Sequence, residues 1–277
     1  MLSDVDIKRE LGTGILIYPF KESNLKGASY NLTASRLAWC IGNSNSQYNK
    51  KSIYNPSNDK IIIPARTTAL IETYEAIWVS QNICGTYHSR VGQVSQGTGH
   101  IGTTLDPNYI GPSLIAVHNH SDEQVEITPE TEPFVTLAFQ YVCTKSSVEQ
   151  HGNSAGRREI LMKLGIQLTL DENTFLDEAY LSNKDLLKKR LEECEDYKLI
   201  KSNREEKASK NSLKNLYVLL ALITGVLIIV DAVLTHYQGL KQLSWYDPVY
   251  FLVEKSIEAT IVAWIAIFVS RLEKKNS

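Results

Sequence analysis

Two apolar segments of membrane length lie in the C-terminal part of this chain, and both hold charged residues. The first, about Asn215 to Tyr237, contains Asp231; the second, about Pro248 to Val269, contains Glu254, Lys255 and Glu258. A helix needs about 20 mostly apolar residues to cross the hydrocarbon core, and each segment has that length. Charge at membrane depth costs several kcal/mol, so these side chains predict contact with a partner helix or with water. Glu254 and Glu258 fall one turn apart on one helical face, and Lys255 precedes Glu258 by three positions, close enough to pair. Such faces from several subunits would line a cation-attracting path, with Asp231, Glu254 and Glu258 as its pore residues. The alternative is a plain anchor whose charges sit near the interface.

The rest of the composition describes a water-soluble body. Mean hydropathy is -0.19 over 277 residues, and a net charge of -2 selects neither for nor against nucleic acid. Cys40, Cys84, Cys143 and Cys194 are scattered, with no CxxC spacing. That pattern argues against structural zinc and a disulfide framework, and for a reducing compartment. The opening MLSDVDIKREL has no apolar core of a signal peptide, so the soluble part is expected in the cytoplasm.

Ser3 followed by Asp6 predicts a capped helix within residues 1–15, ended by Gly12 and Gly14. From Ile15 to about Val142 the chain breaks into short apolar runs such as ILIYPF, KIIIPA, SLIAVHN and FVTLAFQYV, with turn residues between them. This rhythm predicts an all-β barrel or sandwich. EQHGNSAGRRE then separates the strands from a short helix, ILMKL. From about Asn183 to Lys214 a charged stretch without Gly or Pro predicts one helix with a weak seam of Leu187, Leu191 and Cys194. Its face of Lys201, Arg204, Lys207, Lys210 and Lys214 suits anionic lipid, or is an ordinary solvated face. Arg271, Lys274 and Lys275 follow the second segment, whereas the intervening loop carries only Lys241, so both termini are expected on the cytoplasmic side. The expected layout is a soluble domain over 1–170, a charged helical linker over 171–214, a two-span hairpin over 215–270 and a basic tail over 271–277.

Several motifs in the soluble part resemble those of dCTP deaminases, which share their fold with trimeric dUTPases. LSDVDIKRELGTGILIYPF followed by GASYNL is similar to the family's helix, "I-x-P-F" strand and "A-S-x-D-L" strand. HSRVGQVSQG is similar to its Arg-Ser-Ser segment, TTLDPNYIG to its substrate hairpin, and AVHNHSDEQVEI to the strand holding its catalytic glutamate. The resemblance covers roughly residues 1–165. It implies a mainly β fold of dUTPase/dCTP deaminase-like barrel type with an α+β periphery, followed here by a C-terminal helix and two transmembrane helices.

The same resemblance implies losses and survivals. The family's glutamate, which activates water, falls on Ala116; its two phosphate-binding serines fall on Val91 and Gly92, its later arginine on Ser95, and the strand aspartate on Asn31. A methyl group cannot act as a base, so no catalytic residue and no enzyme activity are expected. The implied ligand-binding set is Ser89, Arg90, Asp106 and Tyr109, with Arg157 and Arg158 as a phosphate lid made mobile by Gly152 and Gly156. Each has a plainer reading: Asp106 before Pro107 as a turn residue, Arg90 as one half of an ion pair. In dUTPases the aspartate equivalent to Asp106 activates water, which keeps a hydrolase reading open. His118 and His120 share a strand face, but a third metal ligand at sensible spacing is missing, and neither metal nor cofactor is expected.

The resemblance also implies a homo-oligomer, a trimer or tetramer, with nucleotide sites between subunits. A deaminase-like sensor joined to a two-span membrane part resembles the membrane effectors of bacterial anti-phage systems, the Hailong type in particular, partnered by a nucleotidyltransferase that makes a DNA oligomer. The expectation is therefore a nucleotide- or oligonucleotide-gated pore in the bacterial inner membrane, in contact with lipid. The alternative is a membrane-anchored dCTP deaminase or dUTPase.

Overall fold

The computed structural model describes residues 1–42, 49–100, 102–148, 155–236, 241–243 and 245–276, and divides into two compact units, Met1–Lys201 and Ser202–Ser277. Gly152 lies outside the described residues, as do the side chains of Arg271, Lys274 and Lys275.

The first unit opens with helix α1 (Asp4–Glu10). Ser3 Oγ accepts from the Asp6 amide at 3.2 Å, and Asp6 Oδ2 accepts from the Ser3 amide at 3.1 Å, so each side chain satisfies the other residue's otherwise orphaned N–H. The helix ends just before Gly12, where Leu11 turns extended and Gly12 takes φ +89. Only glycine fits there: a Cβ on Gly12 would stand 2.0 Å from the Tyr197 hydroxyl.

Fourteen strands follow among the described residues: β1 (Ile15–Tyr18), β2 (Leu25–Lys26), β3 (Ser29–Ile41), β4 (Tyr54–Asn55), β5 (Lys60–Ile63), β6 (Thr68–Thr73), β7 (Ala76–Val79), β8 (Ile83–Ser89), β9 (Thr98–Gly99), β10 (Thr104–Leu105), β11 (Ile110–Gly111), β12 (Leu114–Asn119), β13 (Val125–Ile127) and β14 (Pro133–Tyr141). A short helix, α2 (Val91–Val94), interrupts them. The largest sheet runs β10-β8-β14-β3-β6-β12-β9, with β2 beside β3, and two three-stranded sheets run β1-β7-β11 and β13-β5-β4. Every pairing is antiparallel. Strands β1 and β7 are buried almost throughout, so they read as continuous apolar runs, whereas β12 alternates between buried and half-buried positions, as a strand with two unlike faces must. The mainly β expectation holds.

Beyond the strands come α3 (Arg158–Lys163), α4 (Leu170–Leu176), α5 (Lys184–Glu193), α6 (Glu195–His236) and α7 (Tyr246–Asn276). The single helix expected from Asn183 is two: Asn183 caps α5, and Cys194 turns extended before α6 begins. Leu187, Leu191, Tyr197 and Ile200 are buried in the same core as Ile15, Ile17 and Trp78, so the charged segment packs on the barrel along one apolar edge instead of hanging free.

In the second unit α6 and α7 meet along Leu234, Tyr246 and Val253, and Trp264 Nε1 donates to Thr224 Oγ1 at 3.3 Å. Among the described residues α6 alone is long and apolar enough to cross a membrane, by length and composition. Helix α7 is long as well, but Glu254, Lys255 and Glu258 interrupt its apolar stretch, and Lys255 Nζ lies 2.7 Å from Glu258 Oε2. The expected pair of spans thus reduces to one apolar helix and one charge-bearing helix.

Candidate functional site

The turn Asp106–Tyr109 joins β10 to β11, and flanking pairings fix it: Leu105 opposite Gly85 on one side, Ile110 opposite Trp78 on the other. Asn108 takes φ +64 at its tip, a conformation asparagine tolerates. Its amide donates to Val79 O at 3.1 Å and its side chain to Val148 O at 2.9 Å. Tyr109 turns inward and donates its hydroxyl to Pro112 O. Asp106 stays exposed, and its carboxylate lies 3.4 Å from Thr104 Oγ1.

Beside this turn opens a cleft of about 290 Å³, lined among others by Tyr87, Asp106, Tyr109, Ser113, Leu114 and Arg157. Three of the six expected ligand residues therefore meet: Asp106, Tyr109 and Arg157. Arg157 arrives through two consecutive left-handed residues, Gly156 at φ +66 and Arg157 at φ +52, and its guanidinium lies 3.5 Å from Glu159 Oε1. The floor is rigid. Tyr87 OH lies 2.5 Å from Ser113 Oγ, and the Ser113 amide donates to Thr73 Oγ1 at 2.9 Å. Burial raises the pKa of both Tyr87 and Tyr109, so both phenols are neutral hydrogen-bonding groups.

The other three ligand residues lie elsewhere. Arg158 turns away to Asp177 at 2.8 Å and to Asn173 O at 3.3 Å, so it braces α3 against α4 instead of forming a lid. Ser89 Oγ lies 2.9 Å from His100 Nδ1, and Arg90 donates to Pro133 O; both line a separate cleft with His88 and Thr136. Their separation from Asp106 follows from β8 carrying them to its far end. Asn31 accepts from Thr136 at 2.8 Å, and Asn119 bonds to Ile63 O, Pro64 O and Glu123 O, which ties down a loop. His118 stacks on His120 at 5.9 Å and bonds to Thr68, and among the described residues no group of three metal-ligating side chains forms. Ala116 packs against the apolar cluster of Leu70, Leu161 and Leu176.

Glu72 was not legible as a site residue. It sits in β6 directly opposite Leu114, is fully buried, and neither carboxyl oxygen has a partner among the described residues. Burial, with a smaller push from Glu159 and a partial offset from Arg157, raises its pKa to about 8. Glu75, equally inaccessible, instead accepts from Thr33 N at 2.8 Å and Thr33 Oγ1 at 3.0 Å.

A profile of dCTP deaminase-like proteins matches residues 1–134. The dCTP deaminase of Pyrococcus abyssi is 30% identical over 162 residues, which is 58% of this chain and 97% of that protein. That of Pyrococcus furiosus is 32% identical over 139 residues, 50% of this chain and 81% of the relative. Among solved structures, the deaminase of Agrobacterium tumefaciens aligns over 51% of this chain and 47% of its own, at 10% identity and a TM-score of 0.40. EIAV dUTPase aligns over 51% and 95%, at 18% identity and a TM-score of 0.33. The chain belongs to the dCTP deaminase-like family. The expectation of a protein without enzyme activity is contradicted here, because the relatives carry the name of an enzyme. A missing carboxylate at position 116 removes one candidate base and no more.

Proposed function

We propose that this chain is a membrane-attached protein of the dCTP deaminase type, which takes a pyrimidine deoxynucleotide at the Asp106–Tyr109 turn. The observation that carries the reading is the convergence of Asp106, Tyr109 and Arg157 on one cleft, within a chain whose relatives act on dCTP by name. Asp106 suits a sugar hydroxyl, Tyr109 offers a flat apolar wall, and the Arg157 fork suits phosphate oxygens. Helix α6 supplies the membrane attachment. Ser89 and Arg90 line another cleft, so their part in nucleotide binding requires a second copy of the chain; the reading therefore includes a homo-oligomer. The test is equilibrium binding of labelled dCTP and dUTP to the full chain in detergent. Binding weakened about tenfold or more by Arg157→Ala supports the reading, and no binding of either nucleotide sinks it.

The carboxylates of the two long helices favour a second reading, in which nucleotide or a short DNA oligomer controls ion flow. Asp231, Glu254 and Glu258 are placed in apolar surroundings by sequence, where charge is kept only for a use. Ion leakage from proteoliposomes, measured with and without dCTP, checks it. Leakage identical in Glu258→Ala removes that residue from the pathway.

A further inference from the structure

Where α4 meets the barrel a further cavity of about 450 Å³ opens, lined among others by Arg36, Tyr54, Tyr74, Glu130, Asp171 and Phe175. It shares no described lining residue with the cleft at the Asp106–Tyr109 turn. Its α4 wall, made by Asp171, Glu172 and Phe175, lies beyond the residues 1–134 that match the deaminase-like profile. The cavity is thus closed by an extension of this chain, and its volume falls in the range of small-molecule sites, about 300–1,000 Å³.

The barrel side is locked before any ligand arrives. Arg36 Nη1 lies 2.7 Å from Glu130 Oε1, and Arg36 Nε lies 3.2 Å from Asp59 Oδ1. The Tyr54 hydroxyl donates to the same Asp59 oxygen at 2.7 Å, and the guanidinium stands 6.0 Å from the centre of the Tyr54 ring. Arg36 is the only cation among the described lining residues, and two carboxylates already match it. Lys21 and Lys60 approach the same loops but donate to Glu130 O at 3.1 Å and to Thr128 Oγ1 at 2.6 Å. A phosphate or carboxylate ligand finds no open positive partner here.

Negative charge and ring surface remain. Three carboxylates line the cavity, those of Glu130, Asp171 and Glu172. Arg36 holds Glu130, while Glu172 accepts from Trp39 Nε1 at 3.0 Å and from Thr169 N at 2.7 Å. Asp171 is exposed and has no partner among the described residues. Its place in the first turn of α4 suits the helix dipole and leaves the carboxylate open at the cavity. Tyr54 is covered by Arg36, so Tyr74 and Phe175, both half-buried, are the aromatic walls left to a ligand. Burial, and next the Glu130 carboxylate, raises the Tyr74 pKa, which keeps this phenol neutral beside an acid. Aromatic faces beside carboxylates attract cations, most strongly where water is excluded.

We propose that this cavity binds a small organic cation, an alkylammonium or quaternary ammonium compound, with its charge held by the rings of Tyr74 and Phe175 and by the Asp171 carboxylate. The barrel supplies one wall and α4 the other, so such a ligand binds only the closed arrangement and stabilises it. The site is separate from the nucleotide cleft and does not depend on how that cleft is read.

The test is isothermal titration calorimetry on the full chain in an uncharged detergent. The probes are choline and n-butylammonium, with n-butanol as the uncharged control. We expect saturable binding of at least one of the two cations, with n-butanol weaker by about tenfold or more. Tyr74→Leu removes the ring and Asp171→Asn removes only the charge; each should weaken the bound cation about fivefold. Asp171 is exposed, so its variant reports on the site even where Tyr74→Leu disturbs packing. No saturable binding of either cation, n-butanol binding as tightly as the cation, or an affinity unchanged in Asp171→Asn overturns the proposal.

Discussion

Trp39 in β3 donates its indole N–H to Glu172 Oε1 of α4 at 3.0 Å, and this buried bond joins the barrel to the helical extension. Glu172 also closes its own helix, accepting from the Thr169 amide at 2.7 Å through its other oxygen. The two bonds hold α4, through its buried Leu176, in the apolar cluster that includes Leu161 and Ala116. Glu172→Ala should lower the stability of the domain by about 1–3 kcal/mol, since it strands the indole donor and removes a cap. Glu172→Gln keeps one acceptor oxygen but turns its amide N–H toward the other donor, so it should recover only part of that loss, as read by denaturant unfolding.

Two buried carboxyls set an unusual pH dependence. Glu72 is pushed up to about 8 and Glu75 to about 7, against 4.5 for an unperturbed glutamate, in both cases mainly by burial. The folded form holds protons that the unfolded chain releases, so their contribution is fully present below about 4.5 and is lost as pH rises through 7 and 8. Melting temperature should fall between pH 5.5 and pH 8.5, by several degrees on the scale of ~2 kcal/mol. Glu72→Gln should flatten part of that slope, being more stable than the parent chain at pH 8.5.

The adjacent arginines should separate cleanly. Arg158→Ala releases α4 by removing the bonds to Asp177 and Asn173 O, and should cost about 1 kcal/mol, because Asp177 is well exposed. Arg157→Ala should leave stability near that of the parent while weakening nucleotide binding. Paired melts and binding titrations distinguish them.

Membrane attachment is expected to depend on α6. Leu222 and Ile229 are exposed on it, and replacing both with Asp adds about 3 kcal/mol per residue to insertion. The parent chain should resist alkaline carbonate extraction and the double variant should be released. Release of the parent chain would remove the membrane from the account.

Local chemistry was readable from the sequence, and pairing was not. The Ser3–Asp6 cap and the apolar runs of β1, β5 and β12 depend on neighbours in the chain, so their patterns stand in the sequence itself. Asp106 and Tyr109 were found through a hairpin motif that one segment contains whole. Glu72 was missed because TALIETYEAIWV reads as one apolar run; its meaning comes from standing opposite Leu114, more than forty positions away. Arg157 and Arg158 looked equivalent in sequence, and only the left-handed turn at Gly156 sends them in different directions. The burial of Leu187 and Leu191 escaped for a like reason: a weak apolar seam says little until the barrel wall that receives it is known.

The most direct measurement is photocrosslinking of 5-iodo-dCTP to the full chain, with the labelled peptide located by mass spectrometry. The label should fall in the segment 103–115, which holds Asp106, Tyr109 and Leu114, and excess unlabelled dCTP should compete it away. Label found only outside that segment, or none at all, would contradict a deoxynucleotide site at this turn.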